Sequence, residues 1–149
     1  GLKHRMEYLG NLNGADWYND STGTNIGSVV KSLAGLEKPV ILIAGGKDKQ
    51  GDLSGLIEPI REKVEQLILI GAAAGRMAES FAGLSGIHRV DSMHAAVSLA
   101  AHYSRPGATV ILSPGCSSFD MFENFAVRGE IFAREFRALT GHGECVNGN

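Results

Sequence analysis

The sequence predicts an α/β domain: a doubly wound, mainly parallel sheet with an antiparallel strand at one edge. Three observations predict it. Short apolar runs with β-branched members, at residues 39–44, 66–71 and 110–112, have the character of strands covered on both faces. Each run ends in a turn and is followed by apolar residues at helical spacing, and such alternation implies right-handed crossovers. An Asn13-Gly14 pair between the strand-like runs 6–9 and 15–19 adds a hairpin at the start of the chain.

The 149 residues bound one domain with room for a real core, and the 20 glycines suit an architecture with many tight turns. The domain is expected to span residues 1–140, with 141–149 as a polar, disordered tail. A net charge of −2 argues against a nucleic-acid or membrane surface. The apolar runs are too short to span a bilayer, and no signal peptide opens the chain, so a cytoplasmic location is expected. Cys116 and Cys145 make neither a disulfide framework nor a metal spacing, and no metal site is expected. No internal repeat or low-complexity segment is present.

In order, the hairpin's second strand would pack Trp17 and Tyr18 on opposite sides. The loop 19–25 is dense in hydroxyl and carboxamide groups and feeds a helix carrying Ile26, Val29, Val30 and Leu33 on one face, capped by Thr24 or Asn25 and stopped near Gly35. After the strand 39–44 comes the loop 45–52. Leu53, Leu56, Ile57, Ile60 and Val64 suggest a second helix, which Pro59 must kink or begin. Strand 66–71 leads into a small-residue helix, 72–81, with Met77 and Phe81 as core. A short strand at 88–90 lies near the far side of the sheet. Ser92 caps a helix carrying Met93, Ala96, Val97 and Ala100, with His94 and His102 solvated. The last strand, 110–112, meets Ser113-Pro114-Gly115. Then Phe122, Phe125, Gly129, Phe132, Phe136 and Leu139 form one helical stripe, with Glu123, Arg128, Glu130, Arg134 and Arg137 off it. The whole is Rossmann-like.

In such sheets ligands bind beyond the strand carboxyl ends. Three polar loops share that rim: 20–25, 45–52 and 113–120. None contains G-x-G-x-x-G, and the loop at 45–52 lacks the glycine-lysine-hydroxyl triplet of a phosphate-binding loop. No nucleophile-elbow or triad order is visible. Taken singly, Lys47 and Lys49 read as solvated loop lysines, and Ser117, Ser118 and Asp120 as helix caps. Gly45-Gly46 does allow close backbone approach to a ligand, and the turn after the last strand opens amide groups to an anion.

Four blocks in order carry a resemblance: Gly1-Leu2-x-His4-Arg5; Trp17-Tyr18-Asn19-Asp20-Ser21-x-x-Thr24-Asn25; Gly45-Gly46-x-x-Lys49; and Leu112-Ser113-Pro114-x-Cys116-x-Ser118-x-Asp120-x-Phe122-x-Asn124-Phe125-x-x-Arg128-Gly129-x-x-Phe132. They resemble the C-terminal domain of Mur ligases, closest to the branch that adds D-glutamate, over residues 1 to about 139. The resemblance implies an ATP-dependent ligase of peptidoglycan synthesis. The carboxylate of UDP-N-acetylmuramoyl-L-alanine is phosphorylated, and the amine of D-glutamate displaces phosphate. It implies ATP and Mg2+ in a full-length bacterial enzyme, neither held tightly by this domain alone. Nucleotide-sugar and P-loop ATPase domains would lie upstream in the same chain, and the isolated domain would be an inactive monomer.

By the same resemblance, Arg5, Asp20 and Asn25 face the nucleotide. Thr24, Lys49, Ser118, Phe119 and Phe125 hold D-glutamate, with Lys49 counted as catalytic. Two carboxylates need donors, which an ammonium, hydroxyls and helix-terminal amides supply. One departure stands out. The family usually carries lysine where this chain has Thr22, so either Lys47 compensates or the amino-acid pocket differs. The competing readings are a domain of a folylpolyglutamate synthase-like ligase and a stand-alone Rossmann-like small-molecule-binding module without an enzymatic role.

Overall fold

The computed structural model describes residues 2–118 and 121–141. β1 (Glu7–Leu12) and β2 (Ala15–Asn19) are antiparallel, and Asn13 (φ 55°) and Gly14 (φ 86°) join them with the positive φ pair a tight hairpin turn requires. β3 (Val40–Gly45), β4 (Val64–Ile70), β5 (Gly86–Arg89) and β6 (Thr109–Leu112) complete a six-stranded sheet ordered β1-β2-β6-β3-β4-β5, parallel in every pair but the first. The helices are α1 (Ile26–Ala34), α2 (Ile57–Lys63), α3 (Ala74–Ser80), α4 (Met93–Tyr103) and α5 (Phe125–Thr140).

The chain crosses from β2 through α1 to β3 and steps outward to β4 and β5. It then returns through α4 to insert β6 between β2 and β3. The connections leaving β3 and β6 therefore diverge, and a crevice opens between their carboxyl ends. All six residues of β3 are buried, and alternation sends them to two cores. Val40, Leu42 and Ala44 pack with Val29 and Leu33 of α1, Ile60 of α2 and Met77 of α3. Ile41 and Ile43 pack with Met93, Ala96 and Val97 of α4 and with Phe132 and Phe136 of α5. Each such Ile or Leu contributes about 1.5–3 kcal/mol on burial. Trp17 joins the second core, its ring 6.0 Å from Phe132 and 5.1 Å from Phe136, whereas Tyr18 packs toward the first.

The expected elements are all present, with shifted bounds. The second helix divides into a 3-10 turn (Ser54–Leu56) and α2, with Pro59 in the first turn of α2, where its missing N–H costs no helical bond. Val64 begins β4 instead of closing the helix, and β5 starts at Gly86 instead of His88. α5 starts at Phe125, capped by the Asn124 side chain on the Val127 amide, so neither Ser117 nor Ser118 is its cap. Two residues depart from the stripe on that helix. Phe125 and Leu139 are 43% and 44% exposed because α5 meets the sheet through Phe132 and Phe136, and the stripe runs past that contact at both ends. Arg128, off the stripe, is 1% exposed, for reasons that belong to the site. The tail beyond 141, with Cys145, lies outside the described residues, as do Phe119 and Asp120. α5 ends on Gly141 with a left-handed φ of 84°. No helix among the described residues is long and apolar enough to cross a membrane.

Candidate functional site

The three polar loops are laced together at the rim by backbone bonds. The Gly45 amide donates to the Pro114 carbonyl, the Lys47 amide to Ser117, the Gly115 amide to Gly23, and the Ala73 amide at the start of α3 to Gly46. The Lys47–Ser117 contact is an isolated antiparallel bridge. Gly46 has no alternative residue there: at φ 145° a Cβ would sit 2.4 Å from the Ser117 carbonyl oxygen.

The loop after β2 is also pinned from within. Both oxygens of Asp20, itself 3% exposed, are engaged: Oδ1 accepts from the Met6 amide, and Oδ2 from the hydroxyls of Ser32 (2.6 Å) and Ser113 (2.9 Å). Ser21 donates from its hydroxyl to the Phe125 carbonyl. Arg128 reaches in from α5 and donates to the Ser21 hydroxyl, the Ser21 carbonyl and the Cys116 carbonyl, at 2.9–3.0 Å. One buried guanidinium thus joins two of the rim loops to the last helix. His4 packs beside it on Gly129, where a Cβ would lie 2.5 Å from the imidazole.

Around this frame lie two cavities. One, of about 190 Å³, is lined by Thr24, Asn25 and Ile26, by Lys47, Asp48 and Lys49, by Leu53, by Ala73, Arg76 and Met77 of α3, and by Gly115 and Cys116. Arg76 binds Asp48 through Nε (3.0 and 3.2 Å) and Nη2 (3.0 Å). Asp48 also accepts from the Gln50 amide. The Arg76 bonds, and then the Gln50 amide, hold the Asp48 carboxyl below its usual range. Lys47 and Lys49 have no side-chain ion pair among the described residues. Once Asp48 has cancelled Arg76, the cavity retains two positive charges. Apolar side chains from Ile26, Leu53 and Met77 line the rest.

The second cavity, of about 430 Å³, runs along the flank of α1 and is lined by Arg5, Met6, Asp20, Thr22, Gly23, Ser28, Lys31, Ser32 and Gly35. Arg5 and Lys31 are its cations, and neither side chain is ion-paired among the described residues. The Thr22 hydroxyl donates to the His4 carbonyl and so faces this cavity, not the one with Lys49.

The structure brings Thr24 and Lys49 to one cavity and Arg5 and Asp20 to the other. Asn25 lines the Lys49 cavity, and its side chain caps α1 by accepting from the Ser28 amide and hydroxyl. Ser118 is buried in the neighbouring loop and Phe125 lies exposed on α5; neither lines the cavity with Lys49. Phe119 lies outside the described residues. Arg76, Asp48, Lys31 and Arg128 were not picked out as site residues by sequence reasoning. Arg76 and Lys31 lie on helices whose apolar spacing draws attention elsewhere, and only the fold reveals what their charges face. Among the described residues no group of three or more His, Cys, Asp or Glu side chains converges to hold a metal ion.

A family model described as "Mur ligase, glutamate ligase domain" matches residues 4–116. Among curated relatives, UDP-N-acetylmuramoylalanine–D-glutamate ligase of Syntrophotalea carbinolica is 59% identical over 143 residues, which are 96% of this chain and 32% of the relative. The enzyme of the same name from Geotalea uraniireducens is 49% identical over 93% of this chain and 31% of its own length. That from Geotalea daltonii is 46% identical over 97% and 32%. The chain therefore spans about a third of the length of the curated relatives it matches. With all six strands of its sheet, both lysines of the smaller cavity and the start of the turn after β6 inside the matched span, the chain belongs to the Mur ligase family, in its glutamate ligase domain.

Proposed function

We propose that this chain is the amino-acid-accepting domain, residues 1–140, of an ATP-dependent ligase that joins D-glutamate to UDP-N-acetylmuramoyl-L-alanine through an acyl phosphate, in peptidoglycan synthesis in the bacterial cytoplasm. The observation that carries the reading is the cavity in which Thr24 and Lys49 meet beside Lys47, with two unneutralised positive charges. An amino diacid whose amine is neutral, as a nucleophile must be, carries two negative charges. Lys47 and Lys49 match them, and the Thr24 hydroxyl adds a donor. The methylenes of the acid would meet Ile26, Leu53 and Met77. Ser118, Phe119 and Phe125 enter the proposal as contacts from the segment after β6, whose Ser117 carbonyl binds the Lys47 amide. Catalysis by this domain is then positioning: it holds the amine where the activated carboxylate arrives, and Lys49 fixes the acid end.

The flank cavity suits the nucleotide. Arg5 and Lys31 offer cations and Thr22, Ser28 and Ser32 hydroxyls. Asp20 would share with a ribose hydroxyl an oxygen that already accepts internal bonds, and Asn25 would act by holding the α1 terminus between the two cavities. In the full-length enzyme, with its P-loop and nucleotide-sugar domains, ATP would supply the phosphoryl group and Mg2+ would offset the charge of the phosphates.

The test is steady-state kinetics of the full-length ligase carrying this domain, with ATP, UDP-N-acetylmuramoyl-L-alanine and D-glutamate. Lys49→Met should lower kcat/KM for D-glutamate by about 100-fold, the loss of a charge-assisted contact with a bound carboxylate, while KM for ATP stays put. Undiminished turnover by that variant, or turnover by residues 1–149 alone, would overturn the reading.

A further inference from the structure

Asp48 is out of place in a cavity for an acid. It lies between Lys47 and Lys49 in sequence, lines the same cavity, and its side chain is 14% exposed. A carboxylate there is the nearest competitor for the cations that a ligand carboxylate needs. Arg76 occupies it. The guanidinium comes from α3, across the cavity, and grips both Asp48 oxygens at 3.0–3.2 Å. The Gln50 amide holds the same group from the other side at 2.8 Å, with Gln50 itself at φ 61°. α3 is in turn fixed to the loop by the Ala73 amide on the Gly46 carbonyl. Both oxygens of Asp48 are thereby occupied, and among the described residues neither forms an ion pair with Lys47 or Lys49.

We infer that Arg76 is a positioning residue for the acid-binding cavity: by sequestering Asp48 it keeps Lys47 and Lys49 free for the carboxylates of the incoming amino acid. The inference rests on the functional reading above. The geometry supplies the reason. Arg76 offers a planar fork that satisfies a carboxylate bidentately, which an ammonium does not, so the pair forms in preference to Asp48–Lys49. The separation is electrostatic as well as steric. The paired arginine attracts a second carboxylate weakly, and the two ammonium groups remain the strongest anion sites in the cavity. With Arg76 removed, Asp48 swings to a neighbouring lysine, and the ligand must displace an internal carboxylate before it binds. Arg76 thus acts on the amino acid without touching it.

Sequestration and simple bracing of the loop predict opposite results in a double variant. In the full-length ligase, Arg76→Met should raise KM for D-glutamate about tenfold, with KM for ATP unchanged, because one charged competitor is released. Adding Asp48→Asn to it removes the competitor and should bring KM back to within about threefold of the wild type. If the pair merely braced the loop, the double variant would be as impaired as Arg76→Met or worse, and that result overturns the inference, as does a wild-type KM in Arg76→Met alone. A crystal structure of Arg76→Met reads the same point without any substrate. The Asp48 carboxylate should lie within hydrogen-bond distance of the Lys47 or Lys49 ammonium, and one turned to solvent sinks the idea. Should the wild-type enzyme not use D-glutamate, the functional reading fails on that assay, while the crystal structure still decides where Asp48 goes.

Discussion

The loop after β2 and the loop after β3 border the same cavity and are held in opposite ways. The first, around Asp20–Ser21, is buried and pinned from beneath: Asp20 accepts three internal donors, and Arg128 spans Ser21 and Cys116. The second, residues 45–52, is exposed from Lys47 onward except for half-buried Asp48. Its hold is a few backbone bonds and one part-buried ion pair. The difference separates frame from donor. The frame sets where Thr24 and the α1 terminus stand; the exposed loop carries the two lysines that we propose receive the ligand. Buried charge-assisted bonds make the first costly to break, whereas the second is loose by comparison.

The strongest way to break the contrast is Arg128→Met. It leaves the Ser21 and Cys116 carbonyls and the Ser21 hydroxyl without their buried donor. Stability should fall by about 3 kcal/mol, the cost typical of orphaned buried polar groups. In a domain of this size that lowers Tm by roughly 10 °C. Chemical denaturation followed by far-UV circular dichroism measures it, and an unchanged midpoint would mean that the frame is held by something else. Gly129→Ala comes next. Its methyl would meet the His4 ring at 2.5 Å, and His4 is itself tied to Thr22 through its carbonyl. Overpacking at that site should cost about 2 kcal/mol. The double variant with His4→Ala should cost less than the sum of the singles, since the clash needs both partners; additive losses would argue against a contact there.

How much of this was legible in the chain follows from the same contrast. The strands were legible because β3 and β6 are unbroken runs of large apolar residues, and burial on both faces leaves no other assignment. The rim was legible because Gly45-Gly46 and Ser113-Pro114-Gly115 end those runs with residues that only turns accommodate. The α1 cap at Asn25 and the α4 cap at Ser92 were legible too, since capping is local. Pairings across the fold were not. Arg76 and Asp48 are 28 residues apart, and no periodicity couples a helix arginine to a loop carboxylate. Arg128 stands off the apolar stripe, and helical spacing ranks a side chain by its apolar neighbours, whereas its burial follows from carbonyls 12 and 107 residues away. The place of Thr22 was not legible either. Two residues from Thr24, it faces the other cavity because the chain turns at Gly23.

The smallest effect sharpens the contrast by acid. The ordinary value for the Asp48 carboxyl is 3.8, and the Arg76 bonds, followed by the Gln50 amide, lower it in the folded chain. Asp52 is lowered as well, through its bond to the Ser54 amide. A carboxyl with a depressed folded value contributes stability that is fully present above its ordinary value and is lost as pH falls through the depressed one. Both carboxyls lie in the loop after β3, so acid should release that loop. The Arg128 bonds to the Ser21 hydroxyl and to the Ser21 and Cys116 carbonyls run to neutral oxygens, so acid does not remove the acceptors of that part of the hold on the loop after β2. Hydrogen exchange reads the two separately. The protection factor of the Gln50 amide, bonded to Asp48, should drop as pH is lowered from 5 to about 3. That of the Gly115 amide, bonded to the Gly23 carbonyl, should not. Parallel loss at both amides would mean that the two loops open together and that the pinning of one is shared by the other.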